Sequence, residues 1–232
     1  MRSCCTSSAA GNGTNVFFSR HSDSYAKRFR RKGLEKAQKQ MLEAVNRELV
    51  RGREVLDIGC GIGALHLTLL KEGAGHAVGV DMSEGMIREA QQLASELGVR
   101  GKSSYLLGDF VTLADLLPEA DITLLDKVVC CYEQLDPLIE KSTARAKQIY
   151  AVTHPRNSLP VKLAFKTQIS LAKIFHWSFH PFWHDWEQMK SHIRSKGFQL
   201  IYENSTLVWN ILVFQRTEET FRNPRQTTTK PV

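Results

Sequence analysis

The chain has 232 residues, of which 42% are hydrophobic and 24% are charged. This composition is typical of a soluble globular protein and excludes collagen-like, coiled-coil and wholly disordered chains. The formal net charge is +7, but it is spread unevenly, with +8 over residues 1–53, −7 over residues 54–153 and +6 over residues 154–232. This pattern differs from that of a uniformly basic nucleic-acid binder. Basic ends that meet over an acidic middle would attract an anionic substrate or surface, and the alternative is an ordinary solvated helix face.

No window approaches the roughly 20 uncharged apolar residues that cross a bilayer, and the polar start lacks the apolar stretch of a signal peptide. The five cysteines are Cys60 and the adjacent pairs Cys4-Cys5 and Cys130-Cys131. They make a poor disulfide framework, because neighbouring cysteines can bridge only under strain. We therefore expect a soluble, cytoplasmic protein in a reducing compartment.

The first 53 residues predict a flexible start followed by a basic helical arm. Apolar residues recur at intervals of three or four over residues 22–53, with lysines and arginines between them. This spacing is typical of amphipathic helices, and Gly33 is the expected break between two of them.

From residue 54 onwards, short apolar runs alternate with amphipathic segments. Predicted strands lie at residues 54–58, 77–80, 103–107, 122–125 and 148–152, and predicted helices at 64–72, 83–97 and 135–145. Alternation with short links predicts an α/β, doubly wound and mostly parallel sheet with right-handed crossovers.

The order changes after the fifth strand. Residues 159–175 predict a helix dotted with lysines that is too long for a tight crossover, and an aromatic, histidine-rich stretch follows it. A helix at 186–196 and two closing strands at 198–203 and 207–215 bring the sheet to seven strands. The predicted domain spans 54–216 with an insertion near 157–186, and the polar tail 217–232 is expected to be disordered.

The clearest chemistry lies in the turn after the first strand. Gly59, Gly61 and Gly63 occupy alternate positions there, which allows a tight turn and leaves no side chain between the backbone and a ligand. A dinucleotide fingerprint has two residues between its last two glycines, whereas this turn has one. Asp57 precedes the turn, and its carboxylate would repel a pyrophosphate but suits an ammonium group. These features argue against NAD and FAD.

Two more carboxylates follow at strand ends. Asp81 ends the second strand, where it can accept hydrogen bonds from both hydroxyls of a ribose and disfavours a 2′-phosphate. Asp109 follows the third strand, where it can accept from an adenine amino group while Phe110 covers the base. An adenosine that carries an amino acid satisfies all three signals, and S-adenosylmethionine is such a molecule.

These residues resemble the successive motifs of class I S-adenosylmethionine-dependent methyltransferases over about residues 54–153, including the strand at 121–126. The resemblance implies a Rossmann-like fold with S-adenosylmethionine as the cofactor. The expected cofactor-binding residues are Asp57, Gly59, Cys60, Gly61, Gly63, Asp81, Met82, Asp109, Phe110 and Lys127.

The layout outside this core more loosely resembles the magnesium-protoporphyrin O-methyltransferase branch. The shared features are an N-terminal helical arm, a long helix after the fifth strand and an aromatic-aromatic-His segment, here Phe182-Trp183-His184. That branch has a His-Tyr pair after the fourth strand, where this chain has Cys131-Tyr132, which argues against a porphyrin substrate. The cysteine pairs and residues 30–34 and 128–132 also resemble a set of bacterial class I methyltransferases.

Ligands of open α/β sheets bind beyond the carboxyl ends of the strands. We therefore expect acceptor-facing residues from 126–132, 154–157, the inserted helix and the arm. His184, by resemblance, and His154, which follows the fifth strand, are the candidate bases, with Tyr132 as a third candidate catalytic residue. The alternative for each histidine is a structural hydrogen bond, and Tyr132 and Lys127 could instead cap the fourth strand.

No metal site is expected. His176, His180 and His184 are four residues apart, but Pro181 interrupts a helix through them and no carboxylate completes the set. The two cysteine pairs could form a soft-metal or thiol-sensing site, the alternative being small buried side chains. The dense aromatic residues of 175–186 could cover a flat or apolar acceptor, contact a membrane surface, or form one side of a satellite core.

The sequence therefore predicts methyl transfer from S-adenosylmethionine to an oxygen nucleophile of a small apolar or anionic molecule. Because the sulfonium methyl is already activated, alignment should contribute more than acid–base chemistry. A nucleic-acid partner is not expected, since residues 126–129 lack the proline-rich amino-methylating motif and no RNA-binding appendage is present. The alternatives are an RNA or protein methyltransferase recruited by the basic ends and a non-catalytic cofactor-binding subunit.

Overall fold

The apolar run that precedes the glycines forms strand β1 (Glu54–Ile58), and it is buried at every position except the first. Parallel strands that helices cover on both faces are nearly continuous in hydrophobic residues, which explains this pattern. The computed structural model describes residues 9–45, 50–175, 177 and 179–217, with side chains from residue 13 onwards. Cys4, Cys5, His176 and residues 218–232, on which some of the sequence expectations fall, lie outside the described residues.

The other elements follow in chain order. The helices are α1 (Ala9–Lys32), α2 (Lys36–Val45), α3 (Ala64–Lys71), α4 (Glu84–Glu96), α5 (Phe110–Leu113), α6 (Leu135–Arg145), α7 (Leu159–Ile174) and α8 (Trp186–Ser195). The strands are β2 (His76–Asp81), β3 (Ser103–Leu107), β4 (Ala120–Leu125), β5 (Ala146–Pro155), β6 (Phe198–Ser205) and β7 (Trp209–Arg216). Short 3-10 turns occupy Arg100–Lys102 and Ala114–Leu116.

The seven strands form one sheet in the order β3-β2-β1-β4-β5-β7-β6. The pairs among β1 to β5 are parallel, and β7 runs antiparallel to both β5 and β6. The predicted Rossmann-like, mostly parallel seven-stranded sheet is therefore confirmed. The carboxyl ends of β1, β2 and β4 meet at one edge, so the residues that follow them lie close together.

The N-terminal arm differs from the prediction in its starting point. We expected helix from residue 22 onwards, but α1 already begins at Ala9. Its early residues find packing partners, because the Phe17 ring stacks on Phe179 at 5.1 Å and Phe18 joins the core. Gly33, with φ of +67°, ends the helix as predicted, and its amide donates to the Phe29 carbonyl at 2.8 Å.

Two hydrophobic clusters cover the two faces of the sheet. One lies beneath α1 to α4 and includes Met41, Leu67 and Leu93. The other lies beneath α5, α6 and α8 and includes Leu138 and Tyr150. Helix α7 takes little part in either, since only two of its residues, Val161 and Ala172, are buried. None of the described helices is long and apolar enough to span a membrane.

Candidate active site

The glycine turn between β1 and α3 has a backbone that other residues would adopt only under strain. Gly59, Gly61 and Gly63 have φ values of +63°, +54° and +78°. A Cβ atom at Gly59 would lie 2.5 Å from Val128 Cγ2, and one at Gly63 would lie 2.8 Å from His66 Cε1. The turn therefore combines a left-handed backbone with close approach of its neighbours, and both requirements select glycine.

Asp81 at the end of β2 holds this turn in place. Its Oδ2 accepts from the Gly61 amide at 2.8 Å, and its Oδ1 accepts from the Ser83 amide at 2.8 Å. Burial nevertheless raises the pKa of Asp81 from 3.8 to about 6. Since a carboxylate has about four acceptor positions, these bonds leave capacity for a further donor.

Asp57 belongs to a buried network that the sequence did not reveal. Its side chain is almost fully buried in β1, and His66 Nδ1 of α3 donates to its Oδ2 at 2.8 Å. The Tyr105 hydroxyl of β3 lies 3.3 Å from His66 Nε2 and donates to the Ala90 carbonyl at 3.2 Å. Burial raises the pKa of Asp57, and the hydrogen bond from His66 opposes that rise.

Asp109 and Tyr132 are joined directly. Asp109 caps α5 by accepting from the Val111 amide, and its Oδ1 also accepts from the Tyr132 hydroxyl at 2.8 Å. Burial, followed by the bond to Asp109, raises the pKa of Tyr132, so the phenol stays protonated. Tyr132 therefore keeps its single proton in the bond to Asp109 at neutral pH, and it is a poor general base.

These groups line one cavity of about 440 Å³ at the carboxyl edge of the sheet. Two glycines of the turn, Gly59 and Gly61, contribute to its wall, whereas Gly63 does not. The three carboxylates, Met82, Phe110, Lys127 and Tyr132 also line it. Most of the remaining wall comes from the arm, α7, the aromatic stretch and the start of β7. Its aromatic members are Phe17, Phe18, Tyr25, Phe29, Phe165, Phe179 and Trp209.

A charged cluster between the arm and β4 also lines the cavity, and the sequence did not indicate it. Lys127, with φ of +61°, donates from Nζ to Glu35 Oε2 at 2.7 Å, and Arg28 pairs with the other oxygen of Glu35. Gln38 donates to Asp126 Oδ2 at 2.9 Å. The cluster joins α1 and α2 to the end of β4. Its members from the arm lie far from Asp126 and Lys127 in the sequence, so only the folded structure shows that they are neighbours.

His154 does not face the cavity, so the expectation that it points into the cleft is wrong. Strand β5 continues past it to Pro155 through pairing with β7, which keeps His154 inside a strand. Its ring is buried, stacks on Trp186 of α8 at 5.0 Å and hydrogen-bonds the Pro155 carbonyl through Nδ1 at 2.8 Å. Burial lowers the pKa of His154 to about 4. The neighbouring Thr153 is also buried and donates to Asp126 at 2.8 Å.

His184 also lies outside the cavity wall. Its Nε2 donates to the Tyr132 carbonyl at 2.9 Å, and its ring borders a separate shallow pocket beside Asp136 and Gln188. Burial lowers the pKa of His184. The residue therefore contacts the chain segment that carries Tyr132 rather than the cavity.

Three cysteines line the cavity, namely Cys60, Cys130 and Cys131. Burial raises the pKa of the Cys60 thiol, and the contact with Cys131 together with burial raises that of Cys130. The two adjacent sulfur atoms lie 4.0 Å apart, and both donate to the Lys127 carbonyl. Within the described segments, no group of three or more His, Cys, Asp or Glu side chains is placed to hold a metal ion.

Comparison with known proteins identifies the domain that carries this site. A family model described as a methyltransferase domain matches residues 55–156. The chain contains a class I S-adenosylmethionine-dependent methyltransferase domain. The cofactor of such a domain is S-adenosylmethionine, and the predicted family is confirmed.

Two curated relatives match part of this chain. Protein arginine N-methyltransferase 1 of Saccharomyces cerevisiae is 37% identical over 79 residues, which are 34% of this chain and 22% of the relative. Ribosomal protein L11 methyltransferase of Neisseria gonorrhoeae is 34% identical over 107 residues, which are 46% of this chain and 33% of the relative. The chain thus spans a third or less of the length of these relatives.

Solved structures extend the similarity of the methyltransferase domain to most of the fold. Magnesium protoporphyrin IX methyltransferase from Synechocystis with bound SAH has a TM-score of 0.67 and 22% identity, and it covers 90% of this chain and 100% of its own. An O-methyltransferase family protein from Burkholderia thailandensis has a TM-score of 0.65 and 14% identity, and the match covers 86% of this chain and 60% of that protein. At these identities the comparison establishes the fold.

Proposed function

We propose that the chain transfers a methyl group from S-adenosylmethionine to an oxygen nucleophile of a small apolar or anionic molecule. The observation that carries the proposal is a single cavity with two unlike sides. One side holds the glycine turn and three carboxylates, and the other is formed by aromatic side chains of the arm, α7 and the stretch after it. When bound, S-adenosylmethionine supplies a sulfonium-activated methyl group.

The residues on the first side fit this cofactor. Asp57 would accept from the ammonium group, Asp81 from the ribose hydroxyls and Asp109 from the adenine amino group, each with acceptor capacity to spare. The glycine turn, where a Cβ at Gly59 would clash with Val128, allows close approach of the ligand. Buried Phe110 would cover the base, while Cys60 and Met82 complete the wall.

On the acceptor side we assign alignment, not proton transfer, as the main contribution of the protein. Well-oriented reactants can lower a barrier by about 7–11 kcal/mol, whereas a general base adds roughly a hundred- to ten-thousandfold in rate. Tyr132 would position the acceptor through its ring and hydroxyl oxygen, because its single proton is already donated to Asp109 and the raised pKa keeps that proton in place. His184 acts as a positioning residue through the Tyr132 carbonyl, and His154 has no role in the cavity.

A small acceptor is favoured because α1 forms part of the cavity wall. Helix α1 lies over the site and is fixed to α4 by Arg30, which donates to Glu96 at 2.8 Å and 2.9 Å. A folded protein or an RNA duplex would need an open groove at this place. Aromatic walls instead suit an acceptor with an apolar body.

Incubation with labelled S-adenosylmethionine and a cell extract tests this proposal. The extract is then fractionated into small molecules, RNA and protein, and we expect the label in the small-molecule fraction. A parallel calorimetric titration of the pure protein with S-adenosylmethionine and with SAH measures cofactor binding, and the Asp81→Ala variant should lose it. Label found only in RNA or protein would overturn the small-molecule acceptor.

A protein acceptor is the second candidate, because the two curated relatives described above are named protein methyltransferases. Their similarity covers 34% and 46% of this chain and a third or less of each relative. In the same labelling experiment, a protein acceptor would place the label on a discrete polypeptide, and transfer would persist after small molecules are removed from the extract.

A further inference from the structure

The outward surface of α7 and of the residues just after it is unusually apolar. Exposed fractions of its large hydrophobic side chains run from 39% for Leu171 to 84% for Leu159. We call this surface the α7 face. It consists of Leu159, Leu163, Leu171, Ile174, Phe175 and Trp177.

Helix geometry gathers these residues into one stripe. At about 100° per residue, Leu159, Leu163 and Ile174 fall within about 60° of one another, opposite the buried Val161 and Ala172. Phe175 and Trp177 stack on each other at 6.4 Å beyond the last turn. The apolar stripe thus faces away from the sheet along the whole helix.

Lysines flank this stripe on one side. Lys162, Lys166 and Lys173 fall within about 40° of one another, next to the position of Leu159. Residues 156–184 contain four lysine or arginine residues and no aspartate or glutamate. The α7 face is therefore apolar outward and basic along one edge, with no carboxylate in its own segment.

The β6–β7 turn extends the α7 face. Arg156, two residues before the cap of α7, donates from its amide to the Val208 carbonyl at 2.8 Å and from Nη1 to the Thr206 carbonyl at 3.2 Å. These bonds hold Leu207, which is 85% exposed, beside the start of the helix.

We propose that the α7 face docks on an anionic lipid bilayer. An outward apolar stripe with lysines beside it is the composition of helices that lie in a membrane interface, where aromatic side chains such as Trp177 are also favoured. The lysines would contact anionic headgroups while the leucines enter the acyl boundary. A protein partner is less well matched, because lysine is depleted in protein–protein interfaces.

Docking would place the candidate active site next to the bilayer. The opposite side of α7 supplies Phe165 and Gln168 to the cavity wall, so this helix separates the cavity from the α7 face. The docking itself needs no cofactor, and it stands or falls independently of the methyl transfer proposed above.

Co-sedimentation of the full chain with vesicles tests the proposal, using phosphatidylcholine alone or mixed with phosphatidylserine. We expect binding to the mixed vesicles that weakens with added salt. The triple variant Lys162→Gln/Lys166→Gln/Lys173→Gln should bind about a hundredfold less, since each lysine near the surface contributes about fivefold. The variant Leu159→Ser/Leu163→Ser/Ile174→Ser should lose at least about tenfold by removing apolar area.

Matched controls change the same residue types elsewhere. Leu116→Ser alters a leucine that is equally open to solvent, and Lys39→Gln/Lys71→Gln/Lys102→Gln removes three exposed lysines from other elements. Both controls should bind the mixed vesicles like the unaltered chain. Every substituted side chain is exposed except the partly buried Lys162, whose Nζ lies 6.0 Å from the centre of the Trp183 ring. Circular dichroism should show the same fold in all of the variants.

Three outcomes would overturn the proposal. They are equal binding of neutral and mixed vesicles, no binding to either, and self-association in sedimentation velocity that the leucine variant abolishes without any vesicle binding. The last result would assign the α7 face to a second copy of the chain. Calorimetry with S-adenosylmethionine on the same samples reports separately on the proposed function.

Discussion

Carboxylates at the ends of two buried strands set the electrostatics of the site. Asp57 and Asp81 both lie where burial raises a carboxyl pKa, so the fold holds charge there at a cost to its own stability. The hydrogen bonds from His66 and from two backbone amides offset part of that cost. Such perturbed groups in a cleft are typical of functional sites.

The pH response of Asp81 is the first prediction. Its folded pKa of about 6 lies above the ordinary 3.8, so its protonation contributes stability that is fully present below the ordinary value and is lost as pH rises through about 6. Cofactor affinity should change in the opposite direction, because ribose hydroxyls donate to the ionised form. We expect calorimetric affinity for S-adenosylmethionine to rise with a midpoint near 6.

The Asp81→Asn variant provides the control for this response. Its affinity should be lower at all pH values, and the midpoint near 6 should be absent from both the affinity and the unfolding profiles. An unchanged pH profile in Asp81→Asn would assign the transition to another group.

The buried pair of His66 and Asp57 gives the second prediction. His66→Leu, which keeps most of the volume, should lower the free energy of unfolding by about 3 kcal/mol, because it leaves a buried carboxylate unpaired. In an Asp57→Asn background the same substitution should cost about 1–2 kcal/mol less. Urea denaturation of the four proteins measures this coupling, and strictly additive effects would contradict it.

At the scale of elements, the position of α1 decides how much of the cavity wall the arm supplies. The helix packs against the start of α4, where Gly85 donates to Ser19 Oγ at 3.1 Å. A Cβ at Gly85 would lie 2.8 Å from Ser19 Cα and 2.9 Å from its carbonyl oxygen. Because these are backbone atoms, no side-chain adjustment can relieve the clash, and the two helices would have to separate.

Gly85→Ala should therefore loosen the arm, although alanine usually favours a helix. We expect hydrogen exchange in α1 to become about tenfold faster, which corresponds to about 1.4 kcal/mol of local stability. Affinity for S-adenosylmethionine should fall because Phe17, Phe18 and Tyr25 line the cavity.

Gly101→Ala is the matched control for this test. Nothing lies within 4 Å of a Cβ at that position, and its backbone is not left-handed. The control should leave exchange in α1 and cofactor affinity unchanged. Equal behaviour of the two variants would show that the arm is not held through Gly85.

At the scale of the whole molecule, the end of β7 joins elements from both halves of the domain. Arg216 donates to the carbonyls of Thr143, Ala146, Lys147 and Lys196 at distances from 2.6 to 3.2 Å. Its guanidinium also lies 4.3 Å from the centre of the Phe198 ring. One side chain thus ties α6, β5 and the turn after α8 to the antiparallel edge of the sheet.

Arg216→Ala should lower the free energy of unfolding by about 3 kcal/mol, because it removes several charge-assisted hydrogen bonds at once. Arg216→Lys should recover only part of this loss, since an ammonium group lacks the planar fork that reaches several carbonyls. Urea denaturation checks both values. Arg53→Ala, a surface arginine 3.8 Å from Asp121, should cost less than about 1 kcal/mol.

Local signals in the chain were sufficient for the fold and for the cofactor side of the site. Strand β3 and helix α6 have the predicted bounds, because hydrophobic period and caps are properties of neighbouring residues. The glycine turn and the carboxylates at strand ends were visible for the same reason, since parallel strands bring their carboxyl ends to one edge. The start of α1 at Ala9 was missed because it depends on contact with the distant Phe179.

Which residues line the acceptor side of the cavity could be seen only in the tertiary structure. Whether a histidine near a strand end faces a cleft depends on where the strand stops pairing. Because β5 continues to Pro155, the side chain of His154 is buried in the core. The hydrogen bond between His66 and Asp57 and the ion pair between Glu35 and Lys127 join residues on or next to different helices and strands. The exposure of the α7 face likewise depends on how the helix packs in the folded chain. Sequence periodicity indicates which side of a helix or strand is apolar. Only the packing of the whole chain decides whether that side contacts the core, the cavity or solvent.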